Sequence, residues 1–219
     1  MKFVKFRALT LFAIAAGATA AACKNNTGPV ARIRTSTDTL VAYALTGTSP
    51  ALPAALDLTG IRSDTSDELF AAAQLERVDS IFEIDLVFDI DSASGQAVLI
   101  TPRRVANRLA SRFVVSGGGA TPVGPQQVGL QLYSPGTTFE QVVESPSGGF
   151  TYDSLARVEN GRVVAIQSFV TDCVRSFQQY MYAKLVVDSA KWSEKKVYFR
   201  IALNGNCGFR SFREGLPRE

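Results

Sequence analysis

The chain of 219 residues contains no histidine. That absence removes Ser-His-Asp and Cys-His nucleophilic catalysis, histidine-bound zinc and a histidine pH switch. An enzyme built on this sequence would have to work with carboxylates, Lys, Tyr or Ser-Lys chemistry. Cysteine is scarce, with Cys23, Cys173 and Cys207 the only three. None stand in a CxxC spacing, and no histidine completes a ligand set, so a zinc site is not expected. Net charge is also missing once the N-terminus is set aside. The chain carries 23 Lys+Arg against 20 Asp+Glu, but Lys2, Lys5 and Arg7 fall in residues 1–22, which leaves 20 against 20. Overall charge therefore gives no argument for nucleic acid or an anionic membrane as a partner. No strand-turn-helix spacing surrounds Gly117-Gly118-Gly119, so it is not a phosphate-binding fingerprint. Nothing repeats at a solenoid period.

What is present is ample apolar material, 46% of the chain, enough for a packed core. Its first concentration is at the N-terminus. Lys2, Lys5 and Arg7 precede an apolar run from Ala8 to Ala22 centred on Leu9, Leu11, Phe12 and Ile14. The run is short and alanine-rich, whereas a bilayer-spanning helix needs ~20 apolar residues. A basic start, a short apolar middle and small residues at the end form the signal-peptide pattern. Ala20, Ala21 and Ala22 lead directly into Cys23. Here the sequence resembles a bacterial lipoprotein signal, with small residues at Ala21 and Ala22, although Ala20 stands where Leu is usual. The resemblance implies that Cys23 is lipidated and becomes the first residue of the mature chain. The other reading of the same residues is ordinary cleavage after Ala20-Ala21-Ala22, leaving Cys23 as an N-terminal thiol. The expected organisation is a signal peptide over 1–22, a lipidated Cys23 and flexible tether over 23–37, and one β-rich domain over 38–219. Asn25, Asn26, Gly28 and Pro29 disfavour regular structure in the tether. With Cys23 assigned to lipid, Cys173 and Cys207 remain as an even pair in an oxidising compartment. A disulfide between them would close a loop of about 35 residues and stabilise by ~3–4 kcal/mol.

Short strands with turn signals fill most of the remainder. Strands are expected at Asp38–Leu45, Ile81–Asp91, Gln96–Thr101, Val128–Tyr133, Tyr180–Asp188 and Lys195–Leu203, with an extended piece over Ala54–Ile61. In Ile81–Asp91, Phe82, Ile84, Leu86, Phe88 and Ile90 form an apolar face, and Glu83, Asp85, Asp89 and Asp91 an acidic one that the pattern assigns to solvent. Asn160-Gly161 within Leu155–Phe169 predicts a hairpin with a type I′ turn. Ser66–Arg77 predicts a helix capped by Ser66. Thr138 to Gln141 has capping-box form for one or two helical turns. Pro102–Arg112 reads as a helix entered at Thr101 or as two short strands turning near Asn107, with the β context favouring strands. The sum is an all-β antiparallel sandwich or barrel-like domain with one to three short helices. If the two last strands pair, Cys173 and Cys207 sit at the same end of their hairpin.

Four groups of residues are candidates for chemistry. Asp89 and Asp91, with Ser92 or Ser94, offer clustered oxygens that a calcium ion would take, although the third acid, the glycine and the distant Glu of an EF-hand are missing. The same acidic stripe could supply a glycosidase carboxylate pair. Tyr180, Tyr182 and Tyr198 could form an exposed aromatic platform for a sugar or a protein; cross-strand packing is their bland alternative. Arg103, Arg104, Arg108 and Arg112 make a local basic patch, read as a solvated face answering the acids. The functional expectation is an exported, lipid-anchored envelope protein with a non-enzymatic binding or structural domain, held at the membrane by its lipid. Its expected partners are a glycan or an envelope protein and no nucleic acid. The competing expectation is a hydrolase of envelope or extracellular glycans that works with carboxylates.

Overall fold

The computed structural model describes residues 33–58, 61–63, 69–78, 84–102, 104, 128–169 and 179–213. Within them the strands are β1 (Ile33–Arg34), β2 (Ser36–Tyr43), β3 (Pro53–Asp57), β4 (Ile61–Ser63), β5 (Leu69–Ala71), β6 (Gln74–Arg77), β7 (Leu86–Ile90), β8 (Ala97–Ile100), β9 (Val128–Leu132), β10 (Leu155–Val158), β11 (Val163–Phe169), β12 (Tyr180–Lys191) and β13 (Lys196–Asn204). One five-stranded sheet has the order β2-β13-β12-β11-β9, and a second has β10-β8-β7-β3-β6. Every pairing within these two sheets is antiparallel. A small sheet β1-β5-β4 accompanies them. The architecture is the all-β sandwich that the strand pattern predicts.

Alternation builds the core. Val197, Phe199, Ile201 and Leu203 of β13 and Met181, Ala183, Leu185 and Val187 of β12 point into one buried cluster with Leu86, Phe88 and Ile90 of β7. At its centre the rings of Phe88 and Phe199, from opposite sheets, stack with centroids 4.6 Å apart and planes 23° from parallel. Each ring buried completely is worth roughly 3 kcal/mol. Residues 150–154 close one side of the sandwich. Thr151 exchanges backbone hydrogen bonds with Leu130 on the edge of the first sheet. Three residues later, the Ser154 N–H donates to the Thr101 hydroxyl oxygen (3.0 Å), at the end of β8 in the second sheet.

Three expectations are corrected. Where a helix is expected over Ser66–Arg77, the chain instead forms β5 and β6, in two different sheets; residues 66–68 lie outside the described residues. Alanine's helix preference is worth only tenths of a kcal/mol per residue. Pairing of β6 along β3, with Leu75 beside Leu56 at the core, outweighs it. The Asn160-Gly161 turn does not close a hairpin, because β10 pairs with β8 while β11 pairs with β12 and β9. Only Gly161 has positive φ (81°), and the Arg162 N–H donates to the Glu159 carbonyl (3.1 Å). A type I′ turn needs positive φ at both central residues; this geometry is type II, and it carries the chain from one sheet to the other. Two acids of the expected solvated face at β7, Asp85 and Asp89, are buried. A second apolar cluster, including Val87, Val98, Val78 and Ile84, covers the outer side of that sheet, so β7 is buried along its whole length.

Helical conformation among the described residues is confined to Pro102 and Arg104, where the Arg104 N–H bonds the Thr101 carbonyl (2.9 Å). The favoured strand reading fails at these positions, and residues 105–112 lie outside the described ones. Thr138 and Gln141 do make the reciprocal capping-box bonds, N–H of Thr138 to Oε1 of Gln141 (2.9 Å) and N–H of Gln141 to the Thr138 hydroxyl (3.3 Å). The box closes a turn, and no helix follows.

Two glycines separate steric from conformational cost. A methyl on Gly129 would lie 2.7 Å from Cβ of Phe150 and 2.9 Å from Cε1 of Tyr152, while one on Gly161 meets nothing within 4 Å. Gly129→Ala is expected to cost about 2–3 kcal/mol through overpacking, and Gly161→Ala about 1 kcal/mol through its left-handed φ. Denaturant midpoints of the two variants check this; a reversed ranking would contradict the close approach of 150–152 to β9.

Candidate functional site

The acids expected to act together have separate duties. Asp85 is fully buried. Its carboxylate accepts the Leu58 N–H (2.6 Å) and the Ser168 hydroxyl (2.5 Å), so it joins the end of β3 to β11 of the facing sheet. Asp89 is also buried and accepts the N–H (3.1 Å) and hydroxyl (2.7 Å) of Thr46. It thereby pins the loop between β2 and β3. Asp91 accepts the Ser94 hydroxyl (2.8 Å) and Nε of Arg157 (3.0 Å). The Ser94 bond, then the Ala93 N–H, then Arg157 hold its carboxyl below the usual range. The oxygens of Asp89 and Asp91, read from the sequence as calcium ligands, are thus engaged by protein donors. Among the described residues no group of three or more Asp, Glu, His or Cys gathers at a metal-sized site. Glu83 lies outside the described residues.

The aromatic platform is not assembled. Register pairs Tyr182 with Asn204 and Tyr198 with Ser189. Seven residues of β12 separate Tyr182 from Ser189, roughly 24 Å at strand rise. Tyr182 is buried, so it offers no open ring. It belongs instead to a polar chain in which the Tyr152 hydroxyl donates to Gln167 Oε1 (2.6 Å) and Gln167 Nε2 donates to the Tyr182 oxygen (3.0 Å). Burial, followed by the neighbouring Tyr180 and Tyr182, raises the Tyr152 phenol above its usual range. Tyr180 meets Phe169 edge to face at 5.7 Å, the cross-strand pair expected as the bland alternative. Phe150 and Tyr152 sit in a glycine-rich loop without periodicity, so no local pattern announces them.

The strongest concentration of charge in an apolar setting was not anticipated from the sequence. Lys184, on the outer face of β12, is buried. Its ammonium donates to the carbonyls of Phe139 (2.6 Å) and Val142 (2.8 Å) and lies 4.2 Å from the centre of the Phe139 ring. The segment from Tyr133 to Ser145 and the tail through Phe212 form a lid over this face. Phe139 and Val142 pack there with Val163, Val186 and Ala202, flanked by Tyr133 and Phe212. The tail bonds the segment, Ser145 N–H to the Arg210 carbonyl (2.8 Å) and Phe212 N–H to the Val143 carbonyl (2.9 Å). At the rim, Arg200 pairs with Asp188 (3.1 Å) and Glu140 (3.0 Å). Burial lowers the Lys184 pKa; the Glu140 carboxylate pushes it up and Arg200 pushes it down. A lowered pKa is a mark of reactive lysines, yet this ammonium is spent on two carbonyls and a ring, the geometry of a latch. The only local signal was a lysine among apolar residues in YMYAKLVVD, and strand alternation assigns that position to solvent.

Of the remaining residues, Cys23, Cys173, Arg103, Arg108 and Arg112 lie outside the described residues. Arg104 is exposed, 3.8 Å from Asp153. Cys207 follows β13 and packs against the core, and the next N–H, from Gly208, donates to the Tyr180 carbonyl (2.8 Å). Comparison with family models, curated proteins and solved structures gives no match.

Lys184→Met keeps the stem and removes the ammonium. It is expected to destabilise by about 2 kcal/mol, because two carbonyls lose a charged donor, with faster hydrogen exchange confined to 133–145. Uniform acceleration across the sandwich would contradict the latch. Tyr133 gives a pH test. Burial and the Glu144 carboxylate push its phenol up to about 12. The unfolded chain ionises near 10, so this group's contribution is complete below pH 10 and is lost between pH 10 and about 12. Alkaline unfolding of Tyr133→Phe should lack that component, and an unchanged profile would contradict it.

Proposed function

We propose that the chain is an exported, lipid-anchored envelope protein whose β-sandwich serves a binding or structural role and is not a catalyst. The observation that carries the domain's role is how its buried polar groups are used. Asp85 joins the two sheets, Asp89 pins a loop and Lys184 latches the lid. A glycan hydrolase working through two carboxylates needs both directed at a shared substrate position, ~5–9.5 Å apart. Asp85 and Asp89 are turned instead to separate internal donors, which weighs against that alternative. Export and anchoring rest on the basic, apolar and small-residue order of Met1 to Cys23.

Within this proposal Cys207 forms a disulfide, a state that suits an oxidising compartment. We assign Cys173 as its partner. Phe169 and Tyr180 face each other across β11 and β12, so the segment holding Cys173 begins and ends beside them. Cys207 stands at the same end, one residue before the Gly208 bond to Tyr180. Within this proposal the domain's partner is a glycan or another envelope protein.

Cys23→Ser should move the protein from the membrane to the soluble fraction; unchanged partitioning would overturn lipidation. Peptide mapping without reduction should recover Cys173 joined to Cys207, and an alkylated Cys173 in the native export product would overturn the pairing. Incubation with polymeric envelope glycans should release no reducing ends, and release abolished by Asp85→Asn would restore the hydrolase.

A further inference from the structure

The end of the sandwich where β12 turns into β13 carries a combination of one exposed tryptophan and several lysines. Trp192 is the chain's single tryptophan, and it is exposed at the tip of this turn. Three lysines surround it, each set against a ring. Lys195 lies over Trp192 at 2.7 Å from the ring centre, Lys191 near Tyr198 at 5.1 Å and Lys196 near Tyr43 at 5.6 Å. Glu194 bonds Lys191 (3.0 Å) and the Tyr198 hydroxyl and stands 4.0 Å from Lys196. It neutralises one of the three charges and leaves the tip at +2. Lys195 has no carboxylate partner among the described residues.

Beside this turn runs the loop between β2 and β3, close enough that a methyl on Gly47 would lie 3.6 Å from Cε of Lys195. Residues 44–52 contain no charged side chain. The loop's hydroxyls are turned to internal duties. Thr46 bonds Asp89, Thr48 bonds the Ala44 carbonyl (2.5 Å), and Ser49 accepts the Ala51 N–H (3.3 Å). The exposed residues Pro50 and Ala51 are left at the loop's outer edge. Two adjacent loops therefore present an uncharged edge, one tryptophan and a net positive charge.

We infer that this end of the sandwich docks on the surface of an anionic lipid bilayer, with Trp192 at the headgroup level and Lys191, Lys195 and Lys196 among the lipid charges. Tryptophan favours that interface because one end of the ring system is apolar and the other donates a hydrogen bond. Lysine stems lie along apolar surface while the ammonium reaches the headgroups. The balanced charge of the whole domain gives no long-range attraction, so contact depends on this local cluster. A soluble polyanion would use the lysines and leave the Pro50 edge without a role, which is why the bilayer is the favoured occupant. Asp89 acts here as a positioning residue, since its two bonds to Thr46 fix the loop. The tip lies at the Tyr43 end of β2, opposite the end at which the chain enters that strand at Ser36.

The single tryptophan makes the test direct. The mature chain from residue 23, carrying Cys23→Ser, would be titrated with vesicles of phosphatidylcholine alone or with about 30% phosphatidylglycerol. Expected are a blue shift of Trp192 emission and co-sedimentation with the anionic vesicles only, both reversed by raised salt. Lys191→Gln and Lys195→Gln should each weaken binding about fivefold. Trp192→Ala should weaken co-sedimentation about tenfold, and circular dichroism would establish that each variant is folded. Unshifted emission with anionic vesicles would overturn the inference. An equal shift with a soluble anionic polysaccharide would also overturn it and assign the tip to polyanions. Loss of lipidation at Cys23 would leave these outcomes unchanged.

Discussion

From Met181 to Val187, β12 is buried on both of its faces, and much of the rest of the structure follows from that. Met181, Ala183, Leu185 and Val187 enter the core between the sheets, while Tyr182, Lys184 and Val186 on the opposite face are buried as well. A central strand covered twice has no solvent to satisfy its polar side chains, and a buried unpaired charge costs several kcal/mol. Each polar group there must find a protein partner. Lys184 finds two carbonyls in the overlying segment, and Tyr182 finds Gln167. The lid and the polar chain through Tyr152 are consequences of that double burial.

The second sheet obeys the same rule through β7. Asp89 within it and Asp85 just before it are buried, so each is committed to protein donors. This turns residues that resemble a metal or catalytic stripe into fasteners. Asp85 ties β3 to β11 across the sandwich. Asp89 holds the β2–β3 loop through Thr46, and Gly47 of that loop stands beside Lys195. The link from buried chemistry to surface chemistry therefore runs through positioning: a carboxylate hidden from water shapes a loop that meets it.

Much of the fold was legible locally. The strands β2, β7 to β9, β12 and β13 follow from β-branched and apolar patterning. The misread elements share one cause. Asn160-Gly161 promotes a turn, but turn chemistry does not say which sheet the following strand joins. The alanines at 71–73 favour helix weakly, and β3 supplies a pairing edge that outweighs them. The alternation in β7 identified Leu86, Phe88 and Ile90 as its core face, yet contained nothing about whether the second face, where Val87 packs and Asp89 is buried, would be covered. Lys184 was unreadable for the same reason, because its lid comes from residues more than 40 positions away.

By itself, the order of residues determined the class of fold and the exclusion of histidine chemistry. These depend on composition and on period-two patterning within a few neighbours, which the backbone geometry of a strand imposes directly. The tertiary structure decided which polar residues are buried, which sheet receives each strand and which loops stand side by side. Those properties depend on what packs over a face, and the covering atoms come from distant parts of the chain. Asp89 shows the division most plainly: a solvated acid by its position in the strand, a buried clasp for Thr46 once the loop folds against it.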